Sequence, residues 1–170
     1  YVENNSMNAS SYGVHLSNTD YSILKNNIIN STTSVAIYIG LTSRRNLFDG
    51  NTISGNNYAL EMSGGSSENN FTNNNMTGRT IHVMYSYWAS SYNRYENNTM
   101  VSGGGVNDYG IYFASSHFNK VINNNITSAA DHGIYATTSS DNIIDNNRIT
   151  VGGSGAYGIY MYIVADRNKI

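Results

Sequence analysis

The sequence predicts an all-β fold, a right-handed single-stranded parallel β-helix (a solenoid) of about seven coils, with three short strands in each coil. The main observation is an Asn that recurs two residues before an apolar residue, at Asn5, Asn27, Asn51, Asn74, Asn98, Asn124 and Asn147. Subtracting successive numbers gives spacings of 22, 24, 23, 24, 26 and 23 residues. A strand-like unit recurs at the same period, and no segment has a helical apolar period. A nearly fixed period of this length is typical of stacked coils.

The first strand of each coil is marked by an apolar residue three positions before the repeating Asn: Val2, Leu24, Phe48, Phe71, Tyr95, Val121, Ile144 and finally Ile170. Five positions before the same Asn lies a second polar column: Ser22, Asn46, Asn69, Asn93, Asn119, Asn142 and Asn168. Asn tolerates the left-handed conformation of turns, and its side-chain amide can hydrogen-bond to an equivalent amide one coil away. Both Asn columns are therefore predicted to be structural ladders.

The second strand contains the apolar residue that follows the repeating Asn, at Met7, Ile29, Ile53, Met76, Met100, Ile126 and Ile149. The third strand is a small, apolar, variable, apolar unit at 13–16, 36–39, 59–62, 80–83, 110–113, 133–136 and 158–161. This alternation predicts strands with one buried face. Coils stacked about 4.8 Å apart would pair each strand in parallel with its copies, and parallel crossovers favour a right-handed coil.

The repeat fills residues 1–170, which predicts one elongated domain. Val2 and Ile170 occupy the same column, so both ends fall inside a coil. Open coils leave unpaired strand edges. The expectation is a fragment of a longer chain, or a unit whose ends are covered by neighbours.

Composition excludes several classes of function. Charged residues make up 12% of the chain, the formal net charge is −2, and no basic stripe indicates a nucleic-acid partner. No apolar run is long enough to predict a membrane span in this segment. The chain has no Cys, and its four His show no metal-binding spacing, so neither a metal site nor a cofactor is predicted from them.

The segments 142–149 (NIIDNNRI) and 158–161 (GIYM) carry a family resemblance that extends over essentially the whole chain. They resemble the repeats of right-handed parallel β-helices in the pectate-lyase-like superfamily, and most of all the NosD-like surface and periplasmic repeat proteins. The resemblance implies an extracellular or cell-surface location, with the periplasm as the alternative. It does not imply one activity, because such repeats occur in polysaccharide-cleaving enzymes, adhesins and non-enzymatic envelope proteins. Some NosD-like proteins are linked to copper handling, but most Met here fall in inward columns and are interpreted as core.

The variable position of the third strand is where a binding surface is predicted. It is occupied through successive coils by His15, Tyr38, Glu61, His82, Tyr112, Tyr135 and Tyr160. Three consecutive tyrosines predict an aromatic strip, which Tyr109, His132 and Tyr157 would widen if they also face outward. Such a strip suits sugar rings or another protein. The alternative is that tyrosine only favours strands and packs across them.

Three segments are interpreted as insertions. The turns at 101–108 and 152–155 are longer than their counterparts and flank the strip. A third insertion, 85–92, is predicted between two strands of the fourth coil and contains the only Trp. Loops that depart from a repeat often carry recognition, so Tyr85, Tyr87, Trp88 and Tyr92 are predicted to form a contact cluster.

Asp108, Asp131 and His132 are the candidate catalytic residues. The two aspartates precede strand glycines in adjacent coils, which predicts carboxylates roughly 5 to 6 Å apart. That separation suits glycoside chemistry or a calcium site. Ordinary turn preference for Asp is the alternative explanation.

Together these patterns predict an extracellular or cell-surface module that serves as scaffold or envelope element and recognises a polysaccharide, a surface glycan or a protein. One alternative is a polysaccharide lyase or glycoside hydrolase domain. Another is a filament or sheath subunit that stacks end to end with copies of itself.

Overall fold

The computed structural model describes residues 1–170, which form strands and turns. Strands are numbered in chain order. The first sheet contains β1 (Val2–Glu3), β4 (Ile23–Lys25), β7 (Leu47–Asp49), β10 (Asn70–Thr72), β13 (Arg94–Glu96), β16 (Lys120–Ile122) and β19 (Ile143–Asp145). The second contains β2 (Ser6–Ala9), β5 (Ile28–Ser31), β8 (Thr52–Gly55), β11 (Asn75–Gly78), β14 (Thr99–Ser102), β17 (Asn125–Ser128) and β20 (Arg148–Val151). The third contains β3 (Val14–Ser17), β6 (Val35–Gly40), β9 (Tyr58–Met62), β12 (His82–Tyr87), β15 (Ile111–Ala114), β18 (Ile134–Thr137) and β21 (Ile159–Tyr162).

Every strand pairs in parallel with the equivalent strand one coil away, so the predicted parallel β-helix with three strands per coil is confirmed. The repeating apolar columns pair residue by residue, as Val121 with Ile144 and Met100 with Ile126 illustrate. The chain contains no helix long and apolar enough to span a membrane.

The core is a continuous stack of inward side chains from all three sheets. Phe48 and Phe71 stack at 4.6 Å between ring centroids, and Tyr95 follows at 5.3 Å from Phe71. Met76 and Met100 are fully buried, which confirms their interpretation as core. Burying such side chains stabilises the fold by about 1.5–3 kcal/mol each.

The two Asn columns are buried ladders, as predicted. In the column that follows the first strand, the backbone N–H of Asn51 donates to Oδ1 of Asn74 at 2.9 Å. Nδ2 of Asn51 donates to the same oxygen at 3.0 Å and to the carbonyl of Leu24 at 2.9 Å. One Asn side chain therefore joins the coil before it to the coil after it. The second column repeats this arrangement, for example from Asn69 to Asn93.

The predicted register of the fourth coil is wrong. The unit placed at 80–83 is not the paired segment: in β12, Met84 pairs with Leu60 and Ile111. The pattern is hidden because Ser86 stands where other coils have a second apolar residue. Ser86 is fully buried, and its hydroxyl hydrogen-bonds to the carbonyl of Ser90 and to the hydroxyl of Ser116.

The predicted insertion at 85–92 is wrong for the same reason. From Ser86 to Arg94 the chain advances 94 − 86 = 8 residues, and the paired positions one coil earlier, Met62 and Asn70, are also 70 − 62 = 8 apart. The longer turns at 101–108 and 152–155 are confirmed. From the second-strand apolar residue to the third-strand residue aligned with Ile111 takes 111 − 100 = 11 and 159 − 149 = 10 residues there, against seven or eight elsewhere.

Substituting Asn74 with Ala tests the ladder. The N–H of Asn51 would lose its acceptor, Nδ2 of Asn51 would lose one of its two acceptors, and the carbonyl of Phe48 would lose a donor. We expect Asn74→Ala to lower the free energy of unfolding by about 2–4 kcal/mol, measured by urea denaturation. Asn75→Ala is the matched control, because the neighbouring Asn75 is exposed. Equal unfolding midpoints for the two variants would contradict the structural role of the ladder.

Candidate functional site

The outer face of the third sheet carries three columns of side chains that run along the solenoid axis; we call them the aromatic surface. Alternate residues of a strand point to opposite faces, so residues two apart share this face. The central column is His15, Tyr38, Glu61, Tyr85, Tyr112, Tyr135 and Tyr160. The leading column, three residues earlier, is Tyr12, Val35, Tyr58, His82, Tyr109, His132 and Tyr157. Strand alternation does not place this column, but its rings contact those of the central column, so they share the face. The trailing column, two residues later, is Ser17, Gly40, Ser63, Tyr87, Ala114, Thr137 and Tyr162.

The tyrosines of the central column are in register, as the sequence predicted. Ring centroids of Tyr85 and Tyr112 are 4.9 Å apart, those of Tyr112 and Tyr135 are 5.0 Å apart, and those of Tyr135 and Tyr160 are 5.5 Å apart. Because neighbouring rings cover one another's faces, ring edges and hydroxyl groups are what the column offers to solvent. The strip begins one coil earlier than predicted, since Tyr85 and not His82 stands in the central column.

The leading column also faces outward, which confirms that Tyr109, His132 and Tyr157 widen the strip. His82 stacks on Tyr109 at 4.9 Å, Tyr109 on His132 at 5.6 Å, and the His132 and Tyr157 rings are 5.4 Å apart. Cross-column contacts join the two rows, for example Tyr109 with Tyr135 at 4.9 Å. The result is one connected field of rings.

The long turn at 101–108 borders this field and forms a cavity of about 460 Å³ with it. Val106 and Asn107 from the turn face Tyr109, Tyr112 and Tyr135 across the cavity. The predicted position of this turn beside the strip is therefore confirmed. Burial raises the pKa of Tyr109 to about 12 and also raises the pKa of Tyr112, so these phenols are neutral donors and acceptors at neutral pH.

His82 lies at the inner wall of the cavity and is only 6% exposed. Its Nδ1 accepts the backbone N–H of Tyr109 at 3.2 Å. Burial lowers the pKa of His82 to about 4, so the ring is neutral and acts as a structural acceptor.

Glu61 is a functional candidate that the sequence patterns did not single out. It stands in the central column between Tyr38 and Tyr85. Its Oε1 accepts a hydrogen bond from the hydroxyl of Tyr87 at 2.8 Å. Burial raises the pKa of the Glu61 carboxyl, and the Tyr87 hydrogen bond partly opposes that rise. The available signal was that Glu61 is the one acidic residue in a column of aromatic rings.

The predicted cluster at 85–92 is divided between different surfaces. Tyr85 and Tyr87 belong to the aromatic surface, where their rings stack at 4.5 Å. Trp88 meets Tyr87 edge-on at 4.9 Å and is 70% exposed. Tyr92 stacks instead on Phe118 at 4.8 Å, in the turns between the third and first sheets. A binding role for Trp88 and Tyr92 stays a prediction.

The two candidate aspartates have different environments. Asp108 is fully buried, and its Oδ2 accepts the backbone N–H of Gly104 at 2.6 Å, which ties down the long turn. Burial is the main cause that raises the pKa of Asp108, and the nearby charge of Asp131 adds to it. Asp131 Oδ1 accepts the backbone N–H of His132 at 2.9 Å. A catalytic or calcium-binding role for these residues stays a prediction.

His132 is placed by its neighbours in the leading column. Its Nδ1 is 3.0 Å from Asp131 Oδ1, but it also accepts the backbone N–H of Tyr157 at 3.1 Å. An Nδ1 that accepts a hydrogen bond has no proton to donate, so His132 does not hydrogen-bond to Asp131 through this atom. The imidazole is held in place as part of the aromatic surface.

Fold, sheet topology and outer face define a parallel β-helix repeat module. The family model described as periplasmic copper-binding protein (NosD) matches residues 1–89 and 78–170. The chain belongs to the NosD family, which confirms the resemblance seen in the repeats and the predicted extracellular or periplasmic location. No curated protein sequence matches the chain at a significant level.

Solved structures of the periplasmic alginate epimerase AlgG share the fold. A single mutant aligns with a TM-score of 0.71 and 12% identity over 93% of this chain and 42% of that one. A double mutant aligns with a TM-score of 0.76 and 12% identity over 94% of this chain and 48% of that one. A third AlgG structure aligns with a TM-score of 0.64 and 13% identity over 99% of this chain and 42% of that one. The chain thus spans less than half of each AlgG chain. At this identity the likeness shows the fold alone.

The side chains present do not fit a copper centre, although the family description includes copper binding. Copper favours clustered imidazole and Met sulfur donors. Met62, Met76, Met84 and Met100 are fully buried in the hydrophobic core, and Sδ of Met62 accepts a hydrogen bond from the Tyr95 hydroxyl at 3.9 Å. No group of three His, Cys, Asp or Glu side chains converges on one point.

His82 makes stability depend on pH. Its pKa is about 4 in the folded state, against an ordinary value of 6.5 that it regains when the chain unfolds. The contribution of the neutral His82 ring to the free energy of unfolding is fully present above about pH 6.5 and is lost as pH falls toward 4. Between about pH 7 and 4.5, we expect the wild type to lose about 2 kcal/mol more unfolding free energy than His82→Gln, measured by urea denaturation. Parallel losses in the two proteins would show that His82 charges freely in the folded state.

Proposed function

We propose that this protein is a periplasmic β-helix module whose rigid solenoid presents the aromatic surface to a glycan chain. The observation that carries the proposal is the unbroken ring contact from Tyr85 through Tyr112 and Tyr135 to Tyr160. A polysaccharide is itself periodic, with hydroxyl groups and apolar C–H faces on each unit. A surface that repeats one phenol per coil offers hydrogen-bonding groups and apolar edges in the same alternation.

The rings are ordered before any ligand arrives, which favours binding. Each tyrosine is fixed by its neighbours in the column, so little side-chain freedom is lost on association. The cavity beside Tyr109 and Tyr112 adds a concave wall, where a sugar ring would contact Val106 and Asn107 as well as the phenols.

The rival roles have less support from the contacts. Cleavage would need carboxylates open to a polymer, and Asp108 is buried beneath its own turn. End-to-end assembly with copies of the chain stays a prediction.

Replacing Tyr135 with Ala tests the proposal directly, because Tyr135 contacts His132 in its own coil and further rings in both neighbouring coils. A glycan array would first identify oligosaccharides that bind the wild type, and calorimetry would then measure their Kd. Tyr135→Ala should raise this Kd about tenfold, which is the loss usual for an anchoring aromatic side chain.

The matched control is Tyr21→Asn, which removes an exposed tyrosine outside the third sheet. Asn suits the positive φ of 59° at that position. The proposal fails if no glycan binds the wild type, or if Tyr21→Asn weakens binding as much as Tyr135→Ala does.

A further inference from the structure

Glu61 is the one acidic or basic side chain on the strands of the third sheet, apart from its histidines. The ion pairs of the protein join other residues, and none includes Glu61. Its Oε1 is occupied by the hydroxyl of Tyr87, whereas Oε2 accepts no hydrogen bond and is not sealed from solvent. The aromatic surface therefore contains one uncompensated negative charge with a free oxygen.

The surroundings of this carboxylate are aromatic. Tyr38 and Tyr85 precede and follow it in the central column, and Tyr58 lies in the leading column on the same face. Withdrawing a carboxylate from water without a counter-ion is costly, and Glu61 is half-buried. A ligand cation would offset that cost through a charge-assisted hydrogen bond, and nearby rings would add cation–π attraction.

No Lys or Arg lies on the strands of the third sheet, which favours a cationic ligand over an anionic one. Lys25, Arg94 and Lys120 lie on the first sheet and Arg148 on the second. The remaining five, Arg44, Arg45, Arg79, Arg167 and Lys169, lie outside the strands. A polyuronate would place a carboxylate on every sugar against a face that has no cation to pair with it and one carboxylate to repel it.

We propose that Glu61, with Tyr38, Tyr58, Tyr85 and Tyr87, forms a subsite for the protonated amine of an amino sugar, so that the aromatic surface selects amine-bearing hexosamine chains. This inference rests on the proposed glycan function and specifies its substrate class. Oε2 of Glu61 accepts the ammonium N–H, and the sugar rings on either side lie along the tyrosines of neighbouring coils.

Three probes of equal length separate the alternatives: a glucosamine oligosaccharide, its fully N-acetylated form, and an oligouronate. At about pH 6 a sugar amine is protonated, and we expect wild-type Kd for the glucosamine oligomer to be about tenfold lower than for the acetylated one. In Glu61→Gln, which keeps the volume and the Tyr87 hydrogen bond, this ratio should fall to about one.

Glu96→Gln is the matched control, since it removes the same charge from the first sheet, where Glu96 pairs with Arg94. It should keep the tenfold ratio, and circular dichroism should give the same fold for both variants.

An unchanged ratio in Glu61→Gln, or tighter binding of the oligouronate than of either hexosamine oligomer, would overturn this inference and leave glycan recognition standing. Oligolysine serves as a fourth probe: if it binds the wild type, loses binding in Glu61→Gln, and no sugar binds, the glycan is overturned as ligand. If none of the probes binds, and the glycan array is also blank, the proposed function itself fails.

Discussion

Coil-to-coil hydrogen bonding by the buried Asn ladders is the interaction on which the rest of the structure depends. Each coil turns sharply after its first strand, where backbone N–H groups have no strand partner. Asn74 supplies the missing hydrogen bonds at this turn. Its N–H and Nδ2 donate to Oδ1 of Asn98, and Nδ2 also donates to the carbonyl of Phe48. Buried backbone groups must be paired, so a coil that slipped would leave several donors unsatisfied at once. The ladder therefore fixes register, and register places one ring above another on the outer face.

The ladders also determine where the number of residues between strands can vary from coil to coil. The steps from first-strand apolar residue to Asn, and from Asn to second-strand apolar residue, are three and two residues in every coil. The step before the third strand changes from seven residues, between Met7 and Val14, to eleven, between Met100 and Ile111. This freedom is confined to the border of the third sheet. The cavity beside Tyr109 exists because the extra residues fold over that border without disturbing the stacked strands.

Periodic features were predictable from the sequence, and features that depend on a neighbouring coil were not. The ladders, inward columns and tyrosine register follow from spacing alone. The fourth coil was misplaced because the repeat unit is recognised by two apolar residues, whereas a buried Ser86 stands at the second of these positions and pairs with Met62 and Phe113. Asp108 and Asp131 look alike in sequence, yet the long turn covers the first. The lack of a counter-ion at Glu61 is a property of the surrounding coils, which no local motif reveals.

The fold and the outer face carry different information about the ligand. Likeness to AlgG at 12–13% identity comes from the stacked backbone, which the inward columns and ladders maintain. Ligand chemistry depends on outward residues, which can change without disturbing that scaffold. Here those residues are neutral phenols with raised pKa values, such as Tyr109 and Tyr112, and a single carboxylate at Glu61. A uronate polymer needs cations where this surface has none, so similarity of fold to an alginate enzyme and a preference for amine-bearing sugars are physically compatible.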